Sequence, residues 1–276
     1  MKLKIGGQTL GPGHKPYILA EMSGNHNHSL DTALQIVDAA AACGADAIKL
    51  QTYTPDTLTL NSHKPEFFLP AEGSIWKGMR LWDLYKDAYT PWEWHAPIFE
   101  RARKLGLGCI STAFEGTSVD LLRELNVDAI KIASFELINL PLIKAAASIG
   151  KPIILSTGMA TQAEIADAVN TVRAAGNSDM ILLKCTSSYP ALPEDANLMT
   201  IPDIATKFGC LVGLSDHTMS NTGVIASVAL GAVLIEKHFT LSRAVEGPDS
   251  SFSLEPAEFQ GMVQAAQEAA ASLGAV

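Results

Sequence analysis

Basic side chains are few and scattered in this chain. Lysine and arginine number 20 against 29 aspartates and glutamates, giving a net charge of −9. With no basic run, nucleic acid and anionic membrane surfaces are poor partners. A small anion stays possible, because a few local lysines outweigh the global sign. Long apolar runs are also missing: the longest, Val224 to Ile235, is about half of the ~20 residues that a membrane span requires. The opening MKLKIGGQTLGPG breaks at Gly6 and Gly7 before any leader-like apolar stretch develops. Cysteine is sparse, and Cys43, Cys109, Cys185 and Cys210 never come in C-x-x-C spacing. Set among apolar and small residues, they read as free thiols of a reducing cytoplasm rather than disulfides or a thiolate metal site. There is no internal repeat, linker or low-complexity segment.

What is abundant is apolar residue, 47% against 18% charged, enough for a sizeable core. Short β-branched runs at 16–23, 47–53, 107–112, 129–134, 152–157, 181–186, 211–216 and 233–239 read as strands. Their nearly continuous apolar character suits parallel strands covered on both faces. Helical patterns separate them, at 31–44, 91–106, 117–126, 140–150, 161–176 and 221–231, most with a terminal glycine as stop signal. In 197–209 the helix is expected to begin at Pro202, and a last helix covers 255–274. Eight strand–helix units in succession predict a (β/α)8 TIM barrel in one catalytic domain, with residues 1–15 as a short N-terminal β-hairpin closing its bottom. The runner-up is an open doubly wound sheet, but SGNHNHS after the first strand is not its G-x-G-x-x-G turn. The connection at 54–89 is long for such a unit, as functional loops often are.

Each strand is apolar first and polar last. The ends carry Glu21 and Ser23, Lys49 and Gln51, Ser111 and Thr112, Lys131 and Ser134, Ser156 and Thr157, and Lys184 and Thr186. The last two strands end in Ser215, Asp216 and His217 and in Glu236, Lys237 and His238. In a barrel these ends converge on the mouth that carries active sites, and eight polar ends together imply a polar site. Alternation puts Ser215 with His217 and Glu236 with His238 on one face. Two imidazoles on neighbouring strands suit a divalent metal with open positions, or are ordinary polar residues. His26 and His28 are further candidates, in a stretch that also reads as a helix cap. Lys49 and Lys131 are either paired with Glu21 or Glu136 or hold a carboxylate or phosphate, helped by the hydroxyls of Thr112, Ser134, Ser156 and Ser215. Lys184 could be a Schiff-base nucleophile or an ion-pair partner. Asp216 and Lys237, facing the other way, read as a barrel-wall ion pair.

The segments AEMSGNHN, KLQTYTPDTLT, STAFE, KIASFE, STGMA, LLKCTSSYPA, GLSDHT, IEKHFTL and GPDSSFSLEP, in this order, resemble the sialic acid synthase family. The likeness runs from about residue 16 to the C-terminus and leans to the family's pseudaminic acid branch; Ser250 stands where the sialic acid branch usually has histidine. The resemblance implies a transferase that condenses phosphoenolpyruvate with a 2,4-diacetamido-2,4,6-trideoxyhexose, giving a nine-carbon 2-keto sugar acid and phosphate. N-acetylneuraminate or legionaminate synthesis is the alternative within the family; a Schiff-base aldolase using Lys184 and a non-catalytic sugar-binding barrel are the alternatives outside it. It implies a divalent metal on His217 and His238, Mn²⁺ foremost, with Mg²⁺ and Co²⁺ behind it. It places Lys49, Thr112, Lys131, Ser134, Ser156, Ser187 and Ser215 on phosphoenolpyruvate, and Glu136, Tyr189 and Asp249 on the sugar. Glu21 falls near the reacting centres, and Glu21 and Glu236 are the candidates for moving a proton. The family's small C-terminal antifreeze-like domain, which serves a swapped homodimer, would start where ASLGAV stands, so the expectation is a barrel without it.

Overall fold

The computed structural model describes residues 2–70, 72 and 75–274. Of the segment 271–276, where a further domain is expected to begin, residues 275–276 lie outside these. A two-stranded antiparallel hairpin, β1 (Leu3–Ile5) and β2 (Gln8–Leu10), comes first. Eight parallel strands follow: β3 (Tyr17–Glu21), β4 (Ala47–Thr52), β5 (Gly108–Ala113), β6 (Ala129–Ile132), β7 (Ile153–Ser156), β8 (Met180–Cys185), β9 (Leu211–Asp216) and β10 (Leu234–His238). They close into a barrel in chain order, with β10 paired to β3.

The helices are α1 (Leu30–Ala42), α2 (Pro55–Leu58), α3 (Leu81–Ala88), α4 (Trp92–Lys104), α5 (Gly116–Glu124), α6 (Leu140–Ala147), α7 (Gln162–Ala174), α8 (Thr200–Phe208), α9 (Thr222–Ala229) and α10 (Pro256–Leu273). The TIM barrel and its hairpin are as the sequence predicts, with most elements trimmed by one or two residues. One start differs. Helix α8 begins at Thr200 rather than Pro202. Proline is tolerated there because the N–H groups of a first turn have no intrahelical acceptor anyway.

Alternation along the strands sorts the core into two layers. Ile18, Ile48, Ile130, Leu155, Leu182 and Ile235 face outward and pack against the helices. Tyr17, Leu19, Ala47, Ile110, Ala129, Ile154, Ile181, Leu183, Leu211 and Leu234 face inward and fill the lower barrel, where Leu3, Ile5 and Leu10 of the hairpin join them. Further up, the inward positions turn polar on seven of the eight strands, at Glu21, Lys49, Thr112, Lys131, Ser156, Ser215 and Glu236, with Cys185 of β8 the exception, and that change of character creates the mouth. The 54–89 connection carries α2 and α3 and is strapped by its own contacts: Arg80 donates to Asp83 and Asn61, and Trp82 Nε1 to Asp56.

Candidate active site

The inward positions at the strand tops are Glu21, Lys49, Gln51, Thr112, Lys131, Ser156, Cys185, Ser215, His217, Glu236 and His238. Most of these line a small cavity of about 60 Å³, together with Ser134, Tyr189 and Phe114. Two lysines and two glutamates are buried in this layer beside the two histidines, and burial of such groups is tolerated only when charges compensate. Lys49 bonds to Glu21, donates to Thr112 Oγ1 at 3.0 Å and lies 3.8 Å from Glu236. Lys131 lies 3.4 Å from the same Glu236 oxygen, which also accepts from Ser215 Oγ at 3.1 Å. The sequence offered Glu136 as a possible lysine partner. The structure pairs Lys131 with Glu236 instead, because Glu236 faces into the closed barrel while Glu136 sits past the top of β6.

The field follows from this packing. Burial pushes the Glu21 carboxyl up to about 7, against the pull of Lys49 and with the charge of Glu236 adding to the rise. Burial also acts on Glu236, but Lys131 and Lys49 outweigh it and hold that carboxyl below its ordinary value. Lys131 is pushed down by burial, only partly offset by Glu236. The inner chamber therefore holds an ammonium whose charge is incompletely compensated, which is the condition for holding an anion.

His217 and His238 stand side by side, ring centroids 5.5 Å apart. Nδ1 of His217 is 2.8 Å from the carbonyl oxygen of Thr186. A carbonyl only accepts, so Nδ1 carries the proton and Nε2 keeps its lone pair. His238 Nδ1 is buried with no hydrogen-bond partner, and so is Glu236 Oε2. Burial lowers both imidazoles, His217 to about 4 and His238 well below its usual value, so both are neutral and able to donate lone pairs at neutral pH. Tyr189 stacks on His217 at 4.2 Å and Phe252 meets His238 at 4.9 Å, which restricts both rings. Two free imidazole nitrogens beside a carboxylate oxygen fit a divalent cation that takes its other ligands from water or substrate. Among the described residues no group of three or more His, Cys, Asp and Glu forms a ready metal cluster.

His26 and His28 do not join the pair. His26 Nε2 bonds Thr90 Oγ1 at 3.1 Å, its ring packs on Trp94, and its Nδ1 accepts from the His28 amide. That is the capping-type use of NHNHS. Lys184 is outside the chamber too, since it alternates with the inward Leu183 and Cys185; its ammonium donates to Cys185 O and Thr186 Oγ1. Asp216 and Lys237 form the expected ion pair on the outward face.

Above the inner chamber opens a larger cavity of about 640 Å³. Glu136, Ser187, Tyr189 and Asp249 line it, as do Gln51 and His238, which border both cavities. Burial lifts the Glu136 carboxyl to about 7, and its Oε2 has no partner. Asp249 is fixed by Ser23 Oγ and by the Gly24 amide at 3.0 Å. Gln51 donates to Glu21 at 3.2 Å and to Ser23 at 3.1 Å, linking the charged layer to this outer wall. Ser134 and Ser187 converge on Gly158, where a Cβ would come within 2.9 Å of Ser134 Oγ and closer still to that of Ser187. The far wall is apolar and comes from the 54–89 connection: Leu58, Leu69, Trp76, Leu81, Leu84 and Tyr85. Trp76 Nε1 donates to Pro248 O at 2.8 Å and ties that wall to the loop after β10. Sequence reasoning singled out the 54–89 connection by its length but missed the residues with which it walls the cavity, and it missed Cys185 and Gly158. Strand parity could have found Cys185, two residues after Leu183; nothing local to the sequence marks the rest.

The strand-top end of the closed parallel barrel, where barrel enzymes carry their active sites, holds a small charged chamber beneath a roomier, half-apolar antechamber, and kinship places the chain among transferases of the synthase type. The chain belongs to the NeuB family, which it matches over residues 36–276, and within it stands near the pseudaminic acid synthases. It is 46% identical to the pseudaminic acid synthase of Helicobacter pylori over 259 residues, 94% of this chain and 76% of that protein. Among solved structures, N-acetylneuraminic acid synthetase from Leptospira borgpetersenii superposes with a TM-score of 0.89 at 32% identity, covering 100% of this chain and 90% of that one. The spore coat polysaccharide biosynthesis protein SpsE of Bacillus subtilis gives 0.86 at 35% identity, covering 99% and 73%.

Proposed function

We propose that this chain condenses phosphoenolpyruvate with the open-chain aldehyde of a 2,4-diacetamido-2,4,6-trideoxyhexose, giving a nine-carbon 2-keto sugar acid and phosphate. The observation that carries this reading is the pair of joined chambers, one cationic and small, one large and apolar-walled, meeting at Gln51, Tyr189 and His238. The kinship with pseudaminic acid synthases supports the same chemistry.

Lys131 and Lys49 hold the phosphate and carboxylate of phosphoenolpyruvate, and Thr112, Ser134, Ser156, Ser187 and Ser215 donate to their oxygens. Ser156 Oγ, buried and without a partner in the protein, fits that task. Glu136, Tyr189 and Asp249 bind the polar face of the sugar. The apolar wall takes acetamido methyls and the deoxygenated C6. His217 and His238 hold a divalent cation, Mn²⁺ by preference, which when bound supplies Lewis acidity to the aldehyde oxygen. Holding both substrates across the junction places C3 of phosphoenolpyruvate against the aldehyde carbon, and this positioning supplies much of the rate. As the C3–C1 bond forms, positive charge develops at C2 and water adds there. Glu236, which lines the inner chamber, and Glu21, which accepts from Gln51 at the junction, take the proton of that water and return one to the new alkoxide. The resulting tetrahedral centre loses phosphate by cleavage of its C2–O bond, and the bridging oxygen leaves with phosphorus. No lysine becomes covalent.

The exposed side chains of Leu60, Phe68, Phe135, Ile138, Leu192 and Met199 lie on loops at the mouth and favour a homodimer that covers it. The four free, buried cysteines suit a cytoplasmic setting; no helix among the described residues is long and apolar enough to cross a membrane.

A phosphate-release assay with phosphoenolpyruvate and a panel of 2-acetamido and 2,4-diacetamido hexoses tests the substrate. The 6-deoxy diacetamido sugars are expected to give the highest kcat/KM, by about tenfold or more over a 6-hydroxy sugar, since a hydroxyl on an apolar wall loses its water partners. A preference for N-acetylmannosamine would point to neuraminate synthesis instead. Phosphoenolpyruvate binding without phosphate release from any sugar would leave a binding barrel.

A further inference from the structure

Behind the two histidines lies an ion pair that the proposed reaction does not use. Because side chains alternate along a strand, the residues next to His217 and His238 face away from the chamber. There Lys237 and Asp216 meet, their side chains 1% and 5% exposed. Their α-carbons are register partners and form the last rung of the β9–β10 ladder. The Lys237 ammonium donates to the Asp216 carboxylate and also to the carbonyl oxygen of Thr218. Asp216 in turn accepts from the Thr218 amide and hydroxyl, each at 3.1 Å. One buried cation therefore grips the residues on both sides of His217 while standing next to His238 in its own strand. His217 lies beyond the last rung, so strand pairing alone does not set its distance from His238.

We propose that the Lys237–Asp216 pair is a positioning device: it fixes the spacing of the His217 and His238 imidazoles and so sets the affinity of the site for a divalent cation. This rests on the reading of the two histidines as cation ligands. The added contact with the Thr218 carbonyl closes a brace around His217, and outer partners that orient ligands are a recurrent determinant of metal affinity.

Removing one partner leaves the other charge buried and unpaired, which endangers the fold. The main variant is therefore the double substitution Asp216→Asn with Lys237→Met, which deletes both charges at similar volume. Folding is checked by near-UV circular dichroism, and Mn²⁺ binding by the electron paramagnetic resonance of the free ion. The folded double variant is expected to bind Mn²⁺ about tenfold or more weakly, and an affinity within about twofold of the parent would overturn the proposal. Thr218→Val keeps both charges and removes the hydroxyl that donates to the Asp216 carboxylate and to the Ser220 carbonyl. It is expected to weaken Mn²⁺ about threefold, a fraction of the loss on removing an outer partner outright. Should the double variant not fold, unchanged affinity in Thr218→Val decides against the brace. If the parent chain itself takes up no Mn²⁺, the cation reading of the histidines fails separately. The brace is then judged on the metal-free proteins, where displaced ¹⁵N imidazole resonances of His217 and His238 are expected and unchanged resonances would refute it.

Discussion

Alanine at either His217 or His238 is expected to stop phosphate release, a loss of about 10³-fold or more in kcat, with the fold kept. The size follows from what the pair is proposed to do. Lewis-acid stabilisation of a developing alkoxide is worth several kcal/mol, and about 1.4 kcal/mol is a factor of ten in rate. With only two protein ligands in the site, loss of either leaves a single imidazole, so the two variants should be about equally damaged. The fold survives because neither ring belongs to the packed lower barrel, where Leu19, Ile110, Ile154 and Leu183 meet. Each ring borders a cavity, and neither is charged at neutral pH. The check is a phosphate-release assay at saturating substrates beside a thermal melt. Wild-type turnover in either variant removes the cation role from the pair.

Lys131→Met should lower kcat/KM for phosphoenolpyruvate by about 10²–10³-fold, the equivalent of roughly 3–4 kcal/mol for a desolvated charge contact. Lys131 is a sharper probe than Lys49. Lys49 is committed to Glu21 and Thr112, whereas the nearest acid to Lys131 is 3.4 Å away and shared. Burial already presses its ammonium toward the neutral form. Methionine fills similar space and removes that desolvation cost, but it also takes from buried Glu236 its main compensating charge and leaves Lys49 at 3.8 Å as the remaining one, so the substrate-free variant is expected to melt somewhat lower than the parent while staying folded. Direct titration with phosphoenolpyruvate, followed by calorimetry, separates binding from turnover; unchanged affinity would place the anion elsewhere.

Much of this site is legible in the sequence because a barrel strand obeys a period of two. Once 17–21, 129–132 or 234–238 is read as a strand, the parity that buries Leu19, Ala129 and Leu234 also aims Glu21, Lys131 and Glu236 at the mouth. The same parity removes Lys184 and sends Asp216 and Lys237 to the outer face. Pairings across the barrel are not legible in this way. That Lys131 faces Glu236 rather than Glu136 depends on where non-neighbouring strands meet inside the cylinder, which no local pattern encodes. NHNHS is ambiguous for another reason: a histidine that closes a turn and one that binds a metal have the same one-residue signature. The apolar wall of Leu58, Leu69, Leu81 and Leu84 comes from irregular and short helical segments, whose inward face is set by tertiary contacts such as Trp76 to Pro248.

The central claim is that the two imidazoles work through a bound divalent cation while the lysines hold phosphoenolpyruvate without covalent chemistry. The direct measurement is phosphate release by the wild-type chain after treatment with EDTA and again after addition of Mn²⁺, with phosphoenolpyruvate and a 2,4-diacetamido-2,4,6-trideoxyhexose present. The account expects silence in the first state and restored release in the second. Full-rate release from the EDTA-treated protein would contradict it.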